Sequence, residues 1–138
     1  MQYRRSNTPG GTYFFTVVTH ERQTWLDQPW ALTTLGDVMR RVREQRPFEN
    51  LAMVLMPDHL HWLMQLGEGI DLPQCMGGVK SISARQLGTP LWQKGFHDHA
   101  VRKEEDLPAL ARYVVANPVR AGLVKRVSEY PHWDAIWV

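Results

Sequence analysis

The sequence has little of the features that mark disulfide-rich, zinc-finger or membrane proteins. It contains one cysteine, Cys75, which excludes an internal disulfide framework and a zinc site built from cysteines. No stretch approaches 18 apolar residues, and the N-terminal residues 1–5 lack the apolar core of a signal peptide. We therefore expect a protein that makes no membrane contact, is not exported and works in the cytoplasm.

The remaining composition is that of an ordinary globular protein. The chain has 138 residues, of which 43% are hydrophobic and 22% charged, and we expect one domain over residues 1–138. Its net charge is only +2, but residues 72–97 and 107–127 carry lysines and arginines without any acid. Such basic segments suit contacts with phosphate groups, although clusters of this kind also occur on solvated faces.

Hydrophobic periodicity and turn residues predict an alternation of strands and helices. The predicted strands cover residues 12–20, a hairpin over 50–66, and 91–102. The predicted helices cover residues 29–46, 72–87 with Asp71 as N-cap, and 104–117 with its acids in the first turn. The tryptophan-rich tail, residues 130–138, is expected to pack back on the body. This order indicates an α+β sandwich of ferredoxin-like type, with helices on a central, mostly antiparallel sheet.

The predicted hairpin carries two histidines on one face of a strand. It turns at Pro57-Asp58, and alternation places Leu60, Trp62, Met64 and Leu66 on one face and His59, His61, Leu63 and Gln65 on the other. His59 and His61 are then about 7 Å apart along the strand, close enough to hold one ion. The alternative is that this face is the wet side of a half-buried strand. Residues 51–56 are apolar on both faces, however, which favours a sheet covered on both sides.

The last predicted helix turns an amide and a phenol towards whatever it packs against. With Leu110 and Val114 in the buried stripe, Asn117 falls within that stripe and Tyr113 on its edge, four residues away. Two imidazoles and one amide oxygen would suit Mn²⁺ or Mg²⁺, and would also accept Zn²⁺. A tyrosine one turn from a ligand could attack a phosphate held by that ion. The alternative is an asparagine that bonds backbone carbonyls at a helix end, with Tyr113 in ordinary packing.

Two motifs together resemble those of a known family. Met56-Pro57-Asp58-His59-Leu60-His61 is followed about fifty residues later by Tyr113-Val-Val-Ala-Asn117-Pro118-Val119-Arg120-Ala121-Gly122-Leu123-Val124. This combination resembles the REP-associated tyrosine transposases, single-tyrosine members of the HUH nuclease superfamily. Four further parts of the sequence also match the family's pattern: Gly11–Thr16, Lys80, Trp92–His99 and Arg102.

The resemblance implies an HUH fold, a metal site and a covalent mechanism. His59, His61 and Asn117 would bind one divalent ion, Mg²⁺ or Mn²⁺. Tyr113 would attack the scissile phosphate of single-stranded DNA and leave a 5′-phosphotyrosine and a free 3′-hydroxyl. The DNA would be a REP palindrome folded as a hairpin. Family members include dimers and monomers, and here we expect a monomer.

Further residues follow from the same resemblance. Asp98 and His99 match the family and are expected to support the site, whereas His97 departs from its usual aromatic and is interpreted as incidental. Basic residues near the motifs or in the acid-free segments are candidates for DNA contacts: Arg4, Arg5, Lys80, Arg85, Arg102, Arg120, Lys125 and Arg126. Two alternatives stay open, a palindrome-binding protein that does not cut DNA and a zinc hydrolase unrelated to DNA.

Overall fold

The computed structural model describes residues 11–95, 97–102 and 106–135, with the backbone alone for residues 97–99. In chain order the elements are β1 (Thr12–Val18), α1 (Pro29–Gln45), β2 (Phe48–Leu55), β3 (His59–Leu66), α2 (Leu72–Leu87), β4 (His97–Ala100), α3 (Leu107–Val115), α4 (Asn117–Arg120) and β5 (Trp133–Ala135). Short 3₁₀ turns occupy His20–Arg22 and Val127–Glu129. In this part of the chain, no helix combines the length and the apolar character needed to cross a membrane.

The strands form one antiparallel sheet in the order β4-β1-β3-β2-β5. Its first four strands and the two helices between them follow the β-α-β-β-α-β order of a ferredoxin-like fold, and β5 extends the β2 edge. The predicted α+β class and antiparallel sheet are confirmed. The expectation that the tail packs on the body is also confirmed for residues 133–135, while residues 136–138 lie outside the described part.

The two faces of β3 have the division that alternation predicts. Leu60, Trp62, Met64 and Leu66 belong to a core that also contains buried residues of α1 and α2. Leu63 points to the other side, where it joins a second core with Ala111 and Val114 of α3. β2 contributes to both cores, so this part of the sheet is covered on both faces. The histidine face of β3 is therefore the face on which α3 packs.

Local capping explains where α2 and α3 begin. The Asp71 side chain accepts a hydrogen bond from the Gln74 amide at 2.8 Å, as predicted, and α2 ends at Gly88, whose φ of 70° favours glycine. The Asp106 side chain accepts from the Ala109 amide at 3.1 Å and caps α3. The predicted helix start at residue 104 is therefore early by three residues, because Asp106 caps the helix from outside rather than forming its first turn.

The predicted helix over 104–117 is also broken before its end. α3 stops at Val115, and Asn117 begins the separate turn α4. Pro118 has no N–H to donate to the Val114 carbonyl four residues earlier, and the Asn117 side chain makes that bond instead, Nδ2 to oxygen at 2.9 Å. Asn117 is therefore not one helical turn from Tyr113 on a continuous helix, and the sequence-based alternative of an asparagine bonding a carbonyl is correct for its amide nitrogen.

The predicted strand over residues 91–102 is shorter than expected. Only His97–Ala100 forms β4, while Trp92 makes one isolated bridge with Thr19. The Trp92 indole N–H donates to the Ser83 hydroxyl of α2 at 2.9 Å, and the Gln93 amide donates to the Val18 carbonyl at 2.9 Å, so this segment is held by a helix and by the end of β1 without forming a strand. Residues that alternate in polarity because of such contacts produce the same sequence pattern as a strand.

Candidate active site

The two imidazoles lie side by side at the start of the central strand. His59 and His61 are both partly buried, and their ring centroids are 4.9 Å apart with the ring planes at 87°. The tight turn at Pro57-Asp58 places His59 directly after the hairpin bend, and β-sheet alternation puts His61 on the same face. The separation is well below the estimate from strand rise, because the rings lean towards each other.

The Nδ1 atom of each imidazole has a protein partner. His59 Nδ1 lies 2.7 Å from Asp58 Oδ1, and His61 Nδ1 lies 3.0 Å from Thr16 Oγ1. An ionised carboxylate only accepts hydrogen bonds, so His59 Nδ1 carries the proton. This arrangement leaves the Nε2 atom of each ring as the nitrogen that a ligand could use. In protein metal sites the other ring nitrogen of a ligating histidine is commonly held by a carboxylate or another hydrogen-bond partner.

The pKa values of His61 and Asp58 are both shifted downwards. Burial, together with the nearby charges of His59 and Arg120, lowers the pKa of His61 from 6.5 to about 4. The hydrogen bond from His59 lowers the pKa of Asp58 below its usual 3.8, and Arg22 adds to this against the opposing effect of burial. His61 is therefore neutral at neutral pH, the form that can bind a metal.

The loop after β1 fixes the position of Asp58. Arg22 Nε is 3.1 Å from Asp58 Oδ2, while the backbone amide and hydroxyl of Thr19 both donate to the Asp58 carbonyl at 3.0 Å. Glu21 and Arg22 have φ of 53° and 52°, the positive values among the described residues that are not glycine. Such left-handed backbone costs free energy. Here it accompanies the ion pair that holds Asp58 against His59.

The nucleophile predicted from the sequence lies on the exposed side of α3. Tyr113 is 55% exposed, rather than on the edge of the buried stripe, which consists of Ala111, Val114 and Val115. The Arg120 guanidinium lies over the Tyr113 ring, 3.7 Å from its centroid, and donates to the Tyr113 carbonyl at 2.7 Å. α3 thus presents its tyrosine to solvent, held by an arginine of α4.

The third predicted ligand has one end of its amide occupied. Because Asn117 Nδ2 donates to Val114, its Oδ1 is turned away from that carbonyl. Among the described residues, no three His, Cys, Asp or Glu side chains come together as a ligand set. The Asn117 amide oxygen is a donor of another type that could supply a third ligand. The role of Asn117 stays a prediction.

The predicted DNA contacts divide between the two layers. Arg120, Lys125 and Arg126 follow α3, on the histidine side, and their exposed side chains belong to the acid-free segment. Lys80 and Arg85 lie on α2, on the opposite layer. Lys80 Nζ donates to the carbonyls of Gln93 and Gly95 at 2.9 and 2.5 Å, and Arg85 donates to Ser81 Oγ at 3.1 Å.

The other predicted positions are described only in part. Arg102 directly follows β4, and it makes contacts of its own. Asp98 and His99 lie in β4, where their backbone pairs with Phe15 and Phe14. Arg4 and Arg5 lie outside the described residues, as do the side chains of Asp98 and His99.

Sequence reasoning missed three supporting residues. Asp58 belongs to the quoted motif but received no role, although a carboxylate next to a histidine is a usual partner for its Nδ1. Thr16 could be found only with the β1–β3 register, which pairs it with His61. Arg22 gives no sequence signal, because its contact depends on the unusual turn.

Comparisons with known proteins identify the family and the fold. Residues 8–117 match the family described as "Transposase IS200 like". The chain is 36% identical over 136 residues to the REP-associated tyrosine transposase of Escherichia coli K12, a match that spans 94% of this chain and 79% of the relative. A structure of a REP-associated tyrosine transposase bound to a REP hairpin is similar with TM-score 0.83 and 34% identity, over 96% of this chain and 81% of that chain. A crystal structure from Deinococcus radiodurans shares the fold, with TM-score 0.57 and 19% identity, over 96% of this chain and 99% of that chain.

Proposed function

The chain belongs to the IS200-like transposase family, among its REP-associated tyrosine transposases, and on this premise we propose that it cuts and rejoins single-stranded DNA at REP-type hairpins. The observation that carries the proposal is the pair of imidazoles whose Nδ1 atoms are held by Asp58 and Thr16. With Nδ1 engaged, each ring leaves Nε2 as the nitrogen that could bind a common ligand, and a second ring nitrogen held in this way is usual in metal-binding histidines.

The donor set fits a divalent ion, which we infer to be Mg²⁺ or Mn²⁺. His59 and His61 would hold it through Nε2, and Asn117 through Oδ1. When bound, the ion would supply Lewis-acid polarisation of a phosphate oxygen and stabilise a leaving oxygen. A neutral His61 supports this assignment, since a protonated imidazole cannot bind a metal.

Tyr113 is the proposed nucleophile. Its phenol oxygen would attack phosphorus and lose its proton, while the bond from phosphorus to the 3′-oxygen breaks and that oxygen takes up a proton. The products are a 5′-phosphotyrosine and a free 3′-hydroxyl. Attack by a second 3′-hydroxyl would reverse these steps and join strands in a new order. The 55% exposure of Tyr113 supports this role, because a polymeric substrate needs an accessible phenol.

The charge around Tyr113 supports a nucleic-acid substrate. Residues 107–127 contain Arg112, Arg120, Lys125 and Arg126 and no acid, so the surface that follows the nucleophile is basic. The relative solved with a REP hairpin is 34% identical over most of the chain, which supports the same class of DNA here. Phosphate contacts would then hold the hairpin, and unpaired bases would carry the sequence readout.

Covalent capture tests the proposal directly. Protein is incubated with a panel of single-stranded hairpin oligonucleotides carrying unpaired flanks, in Mn²⁺, Mg²⁺ or EDTA, and run on a denaturing gel. We expect a protein–DNA adduct with either metal, none in EDTA, and none for Tyr113→Phe. Tyr13→Phe is the control, because that phenol is fully buried in the other core.

The pattern of results also separates the alternatives. Hairpin binding without an adduct in either metal would contradict the enzyme and leave a palindrome-binding protein. An adduct that persists in Tyr113→Phe would contradict the nucleophile. His59→Ala and His61→Ala should abolish the adduct and keep hairpin binding. A zinc hydrolase unrelated to DNA would bind no hairpin at all.

A further inference from the structure

Arg120 makes two contacts with the same residue, and both are with Tyr113. Its guanidinium carbon is 3.7 Å from the centroid of the phenol ring, and its Nη2 donates to the Tyr113 carbonyl at 2.7 Å. A planar guanidinium can stack on an aromatic face while its edge donates hydrogen bonds, which an ammonium group cannot do. The two contacts hold both the ring and the backbone of one exposed residue.

The interruption of the helix between α3 and α4 explains why Tyr113 needs these contacts. Tyr113 lies in the last turns of α3, and Ala116 separates α3 from the four-residue α4. α4 is anchored by buried Pro118 and ends at Arg120, two residues before Gly122, whose φ is 77°. Arg120 therefore reaches back across the break from a fixed turn. Within the described part of the chain, no other aromatic or cationic group lies against the half-exposed ring of Tyr113, so without Arg120 its side-chain torsions would be less restricted.

The location of the guanidinium also connects the nucleophile to the histidine face. The helix that carries Tyr113 packs through Val114 on the face of β3 that bears Leu63 and His61, and Arg120 lies against Tyr113. Tyr113, Arg120 and His61 therefore lie on the same side of the sheet. The Arg120 guanidinium is occupied by contacts with Tyr113, unlike a side chain that is free to bind a phosphate.

We propose that Arg120 is a positioning residue that fixes the Tyr113 phenol for attack, rather than one more DNA contact. This inference rests on the proposed function, in which Tyr113 is the nucleophile. A small displacement of a reacting atom can cost a large factor in rate, so a single stacked contact is sufficient to control the reaction. The role requires the planar group and not only its charge.

Arg120→Lys separates position from charge. The variant keeps the positive charge but loses the planar stack and the aligned edge. At saturating hairpin DNA with Mn²⁺, we expect the rate of adduct formation to fall at least about tenfold. Hairpin affinity, measured by fluorescence anisotropy in EDTA, should stay within about twofold. Arg43→Lys is the matched control, because Arg43 of α1 is an exposed arginine whose guanidinium also lies over an aromatic ring, Phe48, on the opposite layer of the sheet, and it should change neither quantity.

Two readouts distinguish failure of this inference from failure of the proposed function. If Arg120→Lys keeps the wild-type rate while Arg120→Gln loses affinity with a smaller salt dependence, Arg120 is a phosphate contact and the inference is wrong. By NMR on the free protein, the Arg120 side-chain protons should be shifted upfield by the Tyr113 ring, and Tyr113→Leu should remove this shift. Absence of the shift overturns the inference by itself, whereas absence of any wild-type adduct overturns the proposed function.

Discussion

Acidification should destabilise the fold through one imidazole, His61. In the folded protein burial holds its pKa at about 4, whereas an unfolded histidine has a pKa of about 6.5. Below pH 6.5 the unfolded state therefore gains a proton that the folded state does not take up until about pH 4. The stability that a neutral His61 contributes is fully present above pH 6.5 and is lost as the pH falls from 6.5 to about 4.

The expected loss follows from the two pKa values. Between pH 7.5 and pH 4.5 linkage gives about 2.5 kcal/mol, and partial solvent access to the ring reduces this to about 2 kcal/mol. The stability contributed by the Asp58 carboxylate is present above its unfolded pKa of 3.8 and is lost only at lower pH, so it does not account for a loss between pH 7.5 and pH 4.5. A change of this size is a large part of the stability of a small domain.

The assay is urea unfolding at both pH values in EDTA, followed by tryptophan fluorescence. His61→Gln keeps a polar side chain beside Thr16 but cannot titrate, so its stability should fall by about 2 kcal/mol less than that of the wild type over the same pH interval. His20→Gln is the control, because His20 lies outside the site with 42% of its side chain exposed. If His61→Gln shows the pH dependence of the wild type, the reasoning on burial of His61 is refuted.

Three further predictions concern groups around the site and core. Tyr130→Phe should lower the free energy of unfolding by about 1–3 kcal/mol in urea titrations, because the Tyr130 hydroxyl donates to the buried Leu55 carbonyl at 2.5 Å; an unchanged midpoint would contradict this bond. Cys75 should resist a thiol reagent at pH 8 in native buffer and react fully in urea, because burial raises its pKa to about 12; fast native labelling would show that α2 opens. Glu21→Gly should leave the free energy of unfolding unchanged or raise it by up to about 1 kcal/mol, with a thermal midpoint that is equal or higher, since glycine tolerates the φ of 53°. A clear loss of stability would mean that the Glu21 side chain itself stabilises the turn.

The fold followed from the sequence wherever one periodicity and one cap agreed. α2 has the predicted bounds because Asp71 and Gly88 mark both ends, and the faces of β3 follow from alternation alone. The prediction failed where a side chain replaced a backbone bond. Asn117 takes the place of the missing N–H of Pro118, so a continuous apolar pattern conceals a break in the helix.

The sequence was sufficient to pair the two histidines of the candidate site, but it did not indicate the residues that hold their rings. His59 and His61 are two residues apart on one strand, so local geometry is sufficient to pair them. Thr16 is 45 residues from His61, and its contact depends on the β1–β3 register. The contact of Arg22 with Asp58 depends on positive φ at Glu21 and Arg22, which residues other than glycine rarely adopt. Long-range register and strained turns are the information that residue patterns do not contain.

The positions of the two halves of the site in the fold imply very different protection from hydrogen exchange. Both histidines lie on β3, which has a hydrogen-bonded neighbour on each side, while Tyr113 lies on a helix that is joined to the sheet by side-chain packing. Amides in the middle of β3 should exchange only on global unfolding, and those of α3 and α4 through smaller local openings. The α3–α4 segment can therefore lift away without breaking a sheet hydrogen bond. A tyrosine on that segment could carry a bound strand while the two imidazoles stay in place for the next one.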